Sequence, residues 1–145
     1  LSFVGGVCCI NDLCLPHEEF FLPAIKERCR DGFCPIGPRL DRAPGAGLMA
    51  DRWMRTYVNG TLRAEWSTRD LVRPIARLIT DVSEFMTLHA GDVLMVGTPR
   101  CAPLARAGDR VAVEVEGIGR IENAIVNEPL CNSHSGGPPV QGAPT

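Results

Sequence analysis

Asp12 stands with Asn11 at the end of an apolar run, Leu1 to Ile10. A polar turn follows with Cys14, His17, Glu18 and Glu19, and then a charged stretch holding Lys26, Arg28, Arg30 and Asp31. A carboxylate at the mouth of a buried strand, faced by several cations, can hold both a divalent metal and an anionic substrate. Hard divalent ions take carboxylate oxygens, and guanidinium groups take carboxylates in pairs of hydrogen bonds. His17 beside Glu18 offers a general acid and base; the alternative is a histidine that caps or packs. The same spacing also fits an N-cap Asp beside a solvated run of charge.

The elements that must position these groups follow from periodicity. Residues 1–10 form a short continuous apolar run with Gly5 and Gly6, the pattern of a central strand. A strand that starts at residue 1 calls for neighbours outside the sequence, and the expectation is a fragment or one module of a longer chain. Residues 17–28 hold a short helix or turns, since Pro23 breaks any long one. Residues 29–38 form a loop into a short extended piece, and the Gly, Pro and Ala of 41–51 predict a surface loop.

Asn59-Gly60 between residues 52–58 and 61–66 is a strong hairpin signal. Leu62, Ala64 and Trp66 alternate with Arg63 and Glu65, which places one face inward. Trp53 and Tyr57 are assigned to core or interface packing rather than to a substrate platform. Ser67 and Asp70 have the spacing of a capping box, with Asp replacing the usual Glu. Leu71, Ile75, Leu78, Ile79, Val82 and Phe85 recur at helical spacing, so one main helix is expected over about 74–86, with Pro74 at its start and its stripe in the core. Strands are expected at 93–96, at 110–116 (Val111, Val113 and Val115 inward, Arg110, Glu114 and Glu116 outward) and at 121–126. The expected fold class is α+β, β-dominated.

Composition narrows the function. The chain has 145 residues, 45% of them hydrophobic, and a formal net charge of −2. That fits one globular domain and gives no basic surface for nucleic acid or anionic membrane. No apolar run approaches the roughly 20 residues of a spanning helix. No basic-then-apolar leader is visible. Seven cysteines are present, Cys8 adjacent to Cys9, with no CxxC pair. Structural zinc is a poor fit, Cys8 and Cys9 suit a strand core, and a reducing cytoplasm is the expected compartment. Residues 128–145 have little to bury and are expected to be a disordered tail.

An ordered set of motifs runs through most of the chain: Asn11-Asp12-Leu13, Leu15-Pro16-His17-Glu18-Glu19, Cys29 to Pro38, Ser67-Thr68-Arg69-Asp70-Leu71, Gly91-Asp92-Val93-Leu94, Gly97-Thr98-Pro99, Gly108-Asp109-Arg110-Val111 and Glu116 to Asn123. In this order they resemble the fumarylacetoacetate hydrolase superfamily, and within it the isomerase/decarboxylase branch of homoprotocatechuate breakdown. The resemblance covers nearly all of residues 4–127. It implies an FAH-type mixed β-roll, with residues 1–127 as the C-terminal portion of a catalytic domain. It also implies a metal-dependent isomerase/decarboxylase of unsaturated keto or enol di- and tricarboxylic acids, and a homodimer or tandem-module pseudo-dimer.

The resemblance assigns site residues as well. The family's magnesium or manganese is held by a Glu-x-Glu pair and an Asp, and Asp12 falls on that Asp. No Glu-x-Glu precedes Asp12, so the chain as it stands is expected to bind metal poorly. Arg28 falls where relatives carry a substrate-contacting Lys, with Lys26 two residues earlier; the two are assigned jointly to a substrate carboxylate. Glu19 falls where relatives often carry Gln near the reacting centre, so proton transfer is assigned to His17 or Glu19. Thr98 with the Gly97 backbone resembles a carboxylate-binding turn, or is an ordinary strand-end Thr before Pro99. His89 and His134 are assigned to the surface. His17-Glu18, in place of the Arg-Asp common in the hydrolase-like branch, favours isomerase/decarboxylase over C–C hydrolysis. A non-catalytic assembly module is the remaining alternative.

Overall fold

The structure is a computed structural model, and it describes residues 3–18, 22–37, 51–98 and 102–127. In chain order the elements are α1 (Ile25–Arg28), β1 (Trp53–Val58), β2 (Thr61–Ser67), a 3-10 turn (Thr68–Asp70), α2 (Ile75–Ser83), β3 (Arg110–Val115) and β4 (Gly119–Ala124). The strands form one antiparallel sheet in the order β2-β1-β3-β4. This is the β-dominated α+β arrangement with one main helix that the patterning predicts.

The β1–β2 hairpin turns on Asn59 (φ 50°) and Gly60 (φ 77°). Two consecutive left-handed residues match the right-handed twist of the strands, which is why Asn-Gly is favoured there. The Asn59 side chain also fastens this turn to β3. Its Nδ2 donates to Asp109 Oδ1 (2.8 Å), and its Oδ1 accepts from the Arg110 N–H (2.9 Å). The capping box forms as well: the Ser67 N–H donates to Asp70 Oδ2 (3.1 Å) and the Arg69 N–H to Ser67 Oγ (3.2 Å). It closes a 3-10 turn at the exit of β2, ahead of α2. Pro74 is the N-cap of α2, and the helix ends at Ser83, short of Met86.

Register gives the sheet two unlike faces. Met54, Thr56, Trp66, Val111, Val113, Val115 and Ile121 share one face through the pairs Met54↔Val115, Met54↔Trp66, Thr56↔Val113, Val58↔Val111 and Val113↔Ile121. Arg55, Tyr57, Glu65, Glu114, Arg120 and Glu122 share the other. The apolar face carries the core, in which Cys9, Ile118 and Ile121 are buried and Val7, Val113 and Val115 pack against them. The Cys9 Sγ donates to the Gly119 carbonyl (3.1 Å), and burial pushes the Cys9 thiol up from its ordinary value, so it stays protonated and inert.

Several expectations are corrected. Residues 3–10 make no regular strand. Val7 and Ile10 each sit in an isolated bridge, that of Ile10 with Ile36, and the Gly37 N–H donates to the Cys9 carbonyl (2.7 Å). Residues 93–96 also pair with no strand among the described residues. At 93–96 the apolar pattern is present and a ladder partner among the described residues is not, and a strand exists only with one; at 3–10 the pairing stops at isolated bridges. The described strands therefore number four, not five or more. The α2 stripe is not core: no residue of the helix is buried, and Phe85 beyond it is 77% exposed. Trp53 is exposed rather than packed, and Leu62 on edge strand β2 is exposed too. Tyr57 is half-buried beneath the Arg120 guanidinium, 4.7 Å from its ring centroid. Residues 38–50 and 128–145, where the Gly-rich loop and the tail were expected, lie outside the described residues.

Candidate active site at the end of an apolar cleft

A cleft of about 1860 Å³ opens over the apolar face of the sheet. Its walls are Met54, Thr56, Trp66 and the three inward valines of β3, Ile75 and Ile79 of α2, the segment 86–98, and residues 3–8 and 10–17. Asp12, His17, Arg28 and Arg30 lie along the same cleft, and so do Gly97 and Thr98.

Asp12 is held in place from both sides. The Asn11 N–H donates to the Pro35 carbonyl (3.1 Å) and the Leu13 N–H to the Phe33 carbonyl (2.9 Å). Asn11 itself is buried, and its Nδ2 donates to Asn123 Oδ1 of β4 (3.3 Å). The Asn of the Asn-Asp pair is thus a tether that ties this segment to the sheet. Beyond it, the Leu15 N–H donates to the Glu27 carbonyl (3.0 Å), which brings α1 against the same segment.

That docking sets Arg28 on Asp12. Arg28 Nη1 lies 3.0 Å from Asp12 Oδ2, with the Asp12 side chain 17% exposed and that of Arg28 50% exposed. Of the two cations assigned jointly, Arg28 lines the cleft and Lys26 does not; the Lys26 carbonyl accepts from Arg30 Nε (2.7 Å). Two residues apart on a helix, they point to nearly opposite sides, about 200° apart. Arg30, two residues beyond Arg28, lines the cleft as well. His17 is exposed and lines the cleft. Glu19 lies outside the described residues. Gly97 has φ 132°, a conformation that favours glycine, and Thr98 is exposed beside it.

The metal site can be tested on its donors. Glu114 lies on the far face of the sheet, paired with Arg55 (3.5 Å) and Arg120 (3.8 Å). Glu116 Oε2 accepts from the Trp53 N–H (3.2 Å). Among the described residues no group of three or more His, Cys, Asp or Glu side chains is placed to hold a metal. One carboxylate, already neutralised by a guanidinium, does not fit an octahedral magnesium or manganese ion.

The fumarylacetoacetate (FAA) hydrolase C-terminal family model matches residues 1–126. The chain belongs to the fumarylacetoacetate hydrolase family. It is 41% identical over 127 residues to the homoprotocatechuate catabolism bifunctional isomerase/decarboxylase of Escherichia coli, covering 88% of this chain and 29% of that protein. It is 32% identical over 127 residues to the maleylpyruvate hydrolase of Aquipseudomonas alcaligenes, covering 86% and 42%. Among solved structures, it superposes on the Sphingobium sp. SYK-6 maleylpyruvate hydrolase in complex with manganese(II) ion and pyruvate. The TM-score is 0.75 at 30% identity, covering 86% of this chain and 45% of that one. It also superposes on a 5-carboxymethyl-2-hydroxymuconate delta-isomerase from Mycobacterium smegmatis, with TM-score 0.67 at 36% identity, covering 73% and 41%. The FAH-family chain described here thus spans less than half the length of each of these relatives.

Proposed function

We propose that this chain is the carboxylate-binding portion of an FAH-family isomerase/decarboxylase, acting on unsaturated keto or enol di- and tricarboxylic acids from aromatic breakdown. The single observation that carries the reading is the Arg28–Asp12 contact of 3.0 Å at the cleft. It is a cation suited to a substrate carboxylate, held in reserve by the chain's own carboxylate. When substrate arrives, Arg28 exchanges Asp12 for the incoming carboxylate, a bidentate partner of better geometry. Gly97 and Thr98 offer an N–H and a hydroxyl to a second carboxylate. His17 or Glu19 moves the proton between carbons. Asp12 would be one ligand for magnesium or manganese. The described residues do not complete that set, so no step is assigned through the metal. The assembly proposed is a cytoplasmic homodimer or tandem-module pseudo-dimer. No helix among the described residues is long and apolar enough to cross a membrane.

Binding of a keto diacid tests this directly. With 2-oxoglutarate as probe, Arg28→Gln is expected to lose about 1.5–3 kcal/mol, or roughly 10- to 100-fold in affinity. Lys26→Ala, off the cleft, changes it far less. The pair is half-exposed and screened, so Arg28→Gln is expected to cost below about 1 kcal/mol in stability. An Arg28→Gln chain that binds as well as the parent would overturn the assignment.

The superposition on a maleylpyruvate hydrolase favours a second reading, hydrolysis of a C–C bond. The products separate the two: carbon dioxide or a moved double bond for the first, and two acids with a water incorporated for the second.

A further inference from the structure

We infer that the amide pair Asn11–Asn123 sets the register of the segment that carries Asp12, and so turns Asp12 outward onto Arg28. The two asparagines are then positioning residues for the anion site. The inference deepens the proposed function and rests on its reading of Arg28 as the carboxylate ligand.

Around Asp12 the chain alternates sides. Cys9 (4% exposed) and Asn11 (5%) are buried against the sheet, while Ile10 is half-buried and Asp12 reaches Arg28. A displacement by one residue puts Cys8 in the place of Cys9 and Ile10 in the place of Asn11, and turns Asp12 toward the sheet. Hydrophobicity does not oppose that slip. Val7-Cys8-Cys9-Ile10 is apolar at every position, so the period of two that normally pins a strand is missing. The backbone opposes it weakly. The bonds along this strip run from the Asn11 N–H to Pro35, from the Leu13 N–H to Phe33 and from the Gly37 N–H to Cys9, and Pro35 has no N–H to give back.

The specific signal is on β4. Asn123 stands in the apolar row of the sheet, opposite Val111 and two residues from Ile121, yet it is polar and half-buried. It accepts from Asn11 Nδ2 at 3.3 Å. In the displaced chain Ile10 would face Asn123 instead, and an amide in apolar surroundings would lose its partner. Fixing a register is the best-attested use of a single buried polar contact. The effect reaches Arg28 as well. The Leu15 N–H to Glu27 carbonyl bond (3.0 Å) docks α1 four residues beyond Asn11, so the register that aims Asp12 also places its guanidinium partner.

Cys8 and Cys9 report the register, because they lie on opposite sides of the same segment. The full chain is labelled with limiting N-ethylmaleimide, and the two thiols are distinguished by tandem mass spectrometry. In the parent, half-buried Cys8 should react at least about 10-fold faster than buried Cys9. Asn123→Leu removes the partner of Asn11 and favours Ile10 beneath it. The order of the two thiols should reverse, and affinity for 2-oxoglutarate should fall about 10-fold or more, with circular dichroism unchanged. Asn11→Leu with Asn123→Leu replaces the pair by apolar groups of similar shape, which is nearly neutral for folding. That double variant should stay folded with the two registers mixed and the thiols reacting at similar rates. Three results would overturn the proposal: a folded Asn123→Leu chain with the parent's thiol order, a reversed order with unchanged 2-oxoglutarate affinity, or unfolding of both variants, which would make the pair structural only. A parent chain that fails to bind 2-oxoglutarate defeats the proposed function, whereas the labelling, done without ligand, still decides the register.

Discussion

Gly37 shows how closely the segment bearing Asp12 is fitted to the sheet. A Cβ built at Gly37 would lie 2.8 Å from Ile121 Cγ2 and 3.1 Å from the Cys9 carbonyl oxygen. One neighbour is a β-branched methyl in the core and the other is backbone, and neither can swing aside. Gly37→Ala is therefore expected to destabilise the chain by about 1–3 kcal/mol, the usual cost of overpacking. Denaturant unfolding measures it; an unchanged midpoint would mean that the 33–37 strip can move away from the sheet. At this scale the site was partly legible. Asp12 stood out because an apolar run ends at Asn11-Asp12. The choice between Lys26 and Arg28 was not legible, because it depends on the direction α1 takes after docking at Leu15. Nor was the role of Asn11, which reaches Asn123, 112 positions away in the sequence.

The elements divide by whether their instructions are local. Asn59-Gly60 specifies its turn within two residues, and the hairpin forms as expected. Ser67 and Asp70 specify their cap within four, and both reciprocal bonds are present. Asp70→Ala is expected to cost about 0.5–2 kcal/mol, since it frees the Ser67 N–H, and Ser67 is buried. Thermal unfolding of Asp70→Ala beside Asp70→Asn separates the lost hydrogen bond from the lost charge. If both variants unfold with the parent, the cap does not contribute. The strands expected at 1–10 and 93–96 failed for the opposite reason. A ladder partner is a distant property, and no local pattern of Val, Leu and Met guarantees one. Those failures lie on the walls of the cleft, where the structure leaves apolar side chains and backbone together.

Across the whole molecule, the face of the sheet turned away from the cleft is a continuous run of opposite charges. Glu65 meets Arg55 (2.6 Å), which meets Glu114 (3.5 Å); Arg120 joins Glu114 (3.8 Å) to Glu122 (3.4 Å), and Arg110 closes on Glu122 (2.9 Å). The network links all four strands, and Ala112 is buried on this face although charges surround it. The Arg110 hydrogen bond, helped by Arg120, holds the Glu122 carboxyl below its ordinary range. Asp109 is likewise lowered, first by the Arg106 N–H and then by the Asn59 amide. A carboxylate with a depressed folded pKa stabilises the fold fully above its unfolded pKa. That contribution fades as the pH falls through the folded value. Unfolding midpoints are therefore expected to hold near neutral pH and to drop below about pH 4.5, the ordinary carboxylate range. Glu122 is exposed and Asp109 half-buried, so salt weakens the Glu122 contribution in particular. Asp109 differs because two of its partners are a backbone N–H and a neutral amide, which salt does not screen as it does an ion pair. Glu122→Gln should then flatten the acid limb at low salt and lose that effect at about 1 M salt, where the Debye length is about 3 Å. Asp109→Asn should flatten it at both. Equal salt sensitivity of the two variants would show that charge alone, rather than the turn that Asp109 and Asn59 close together, sets the acid stability of the sheet.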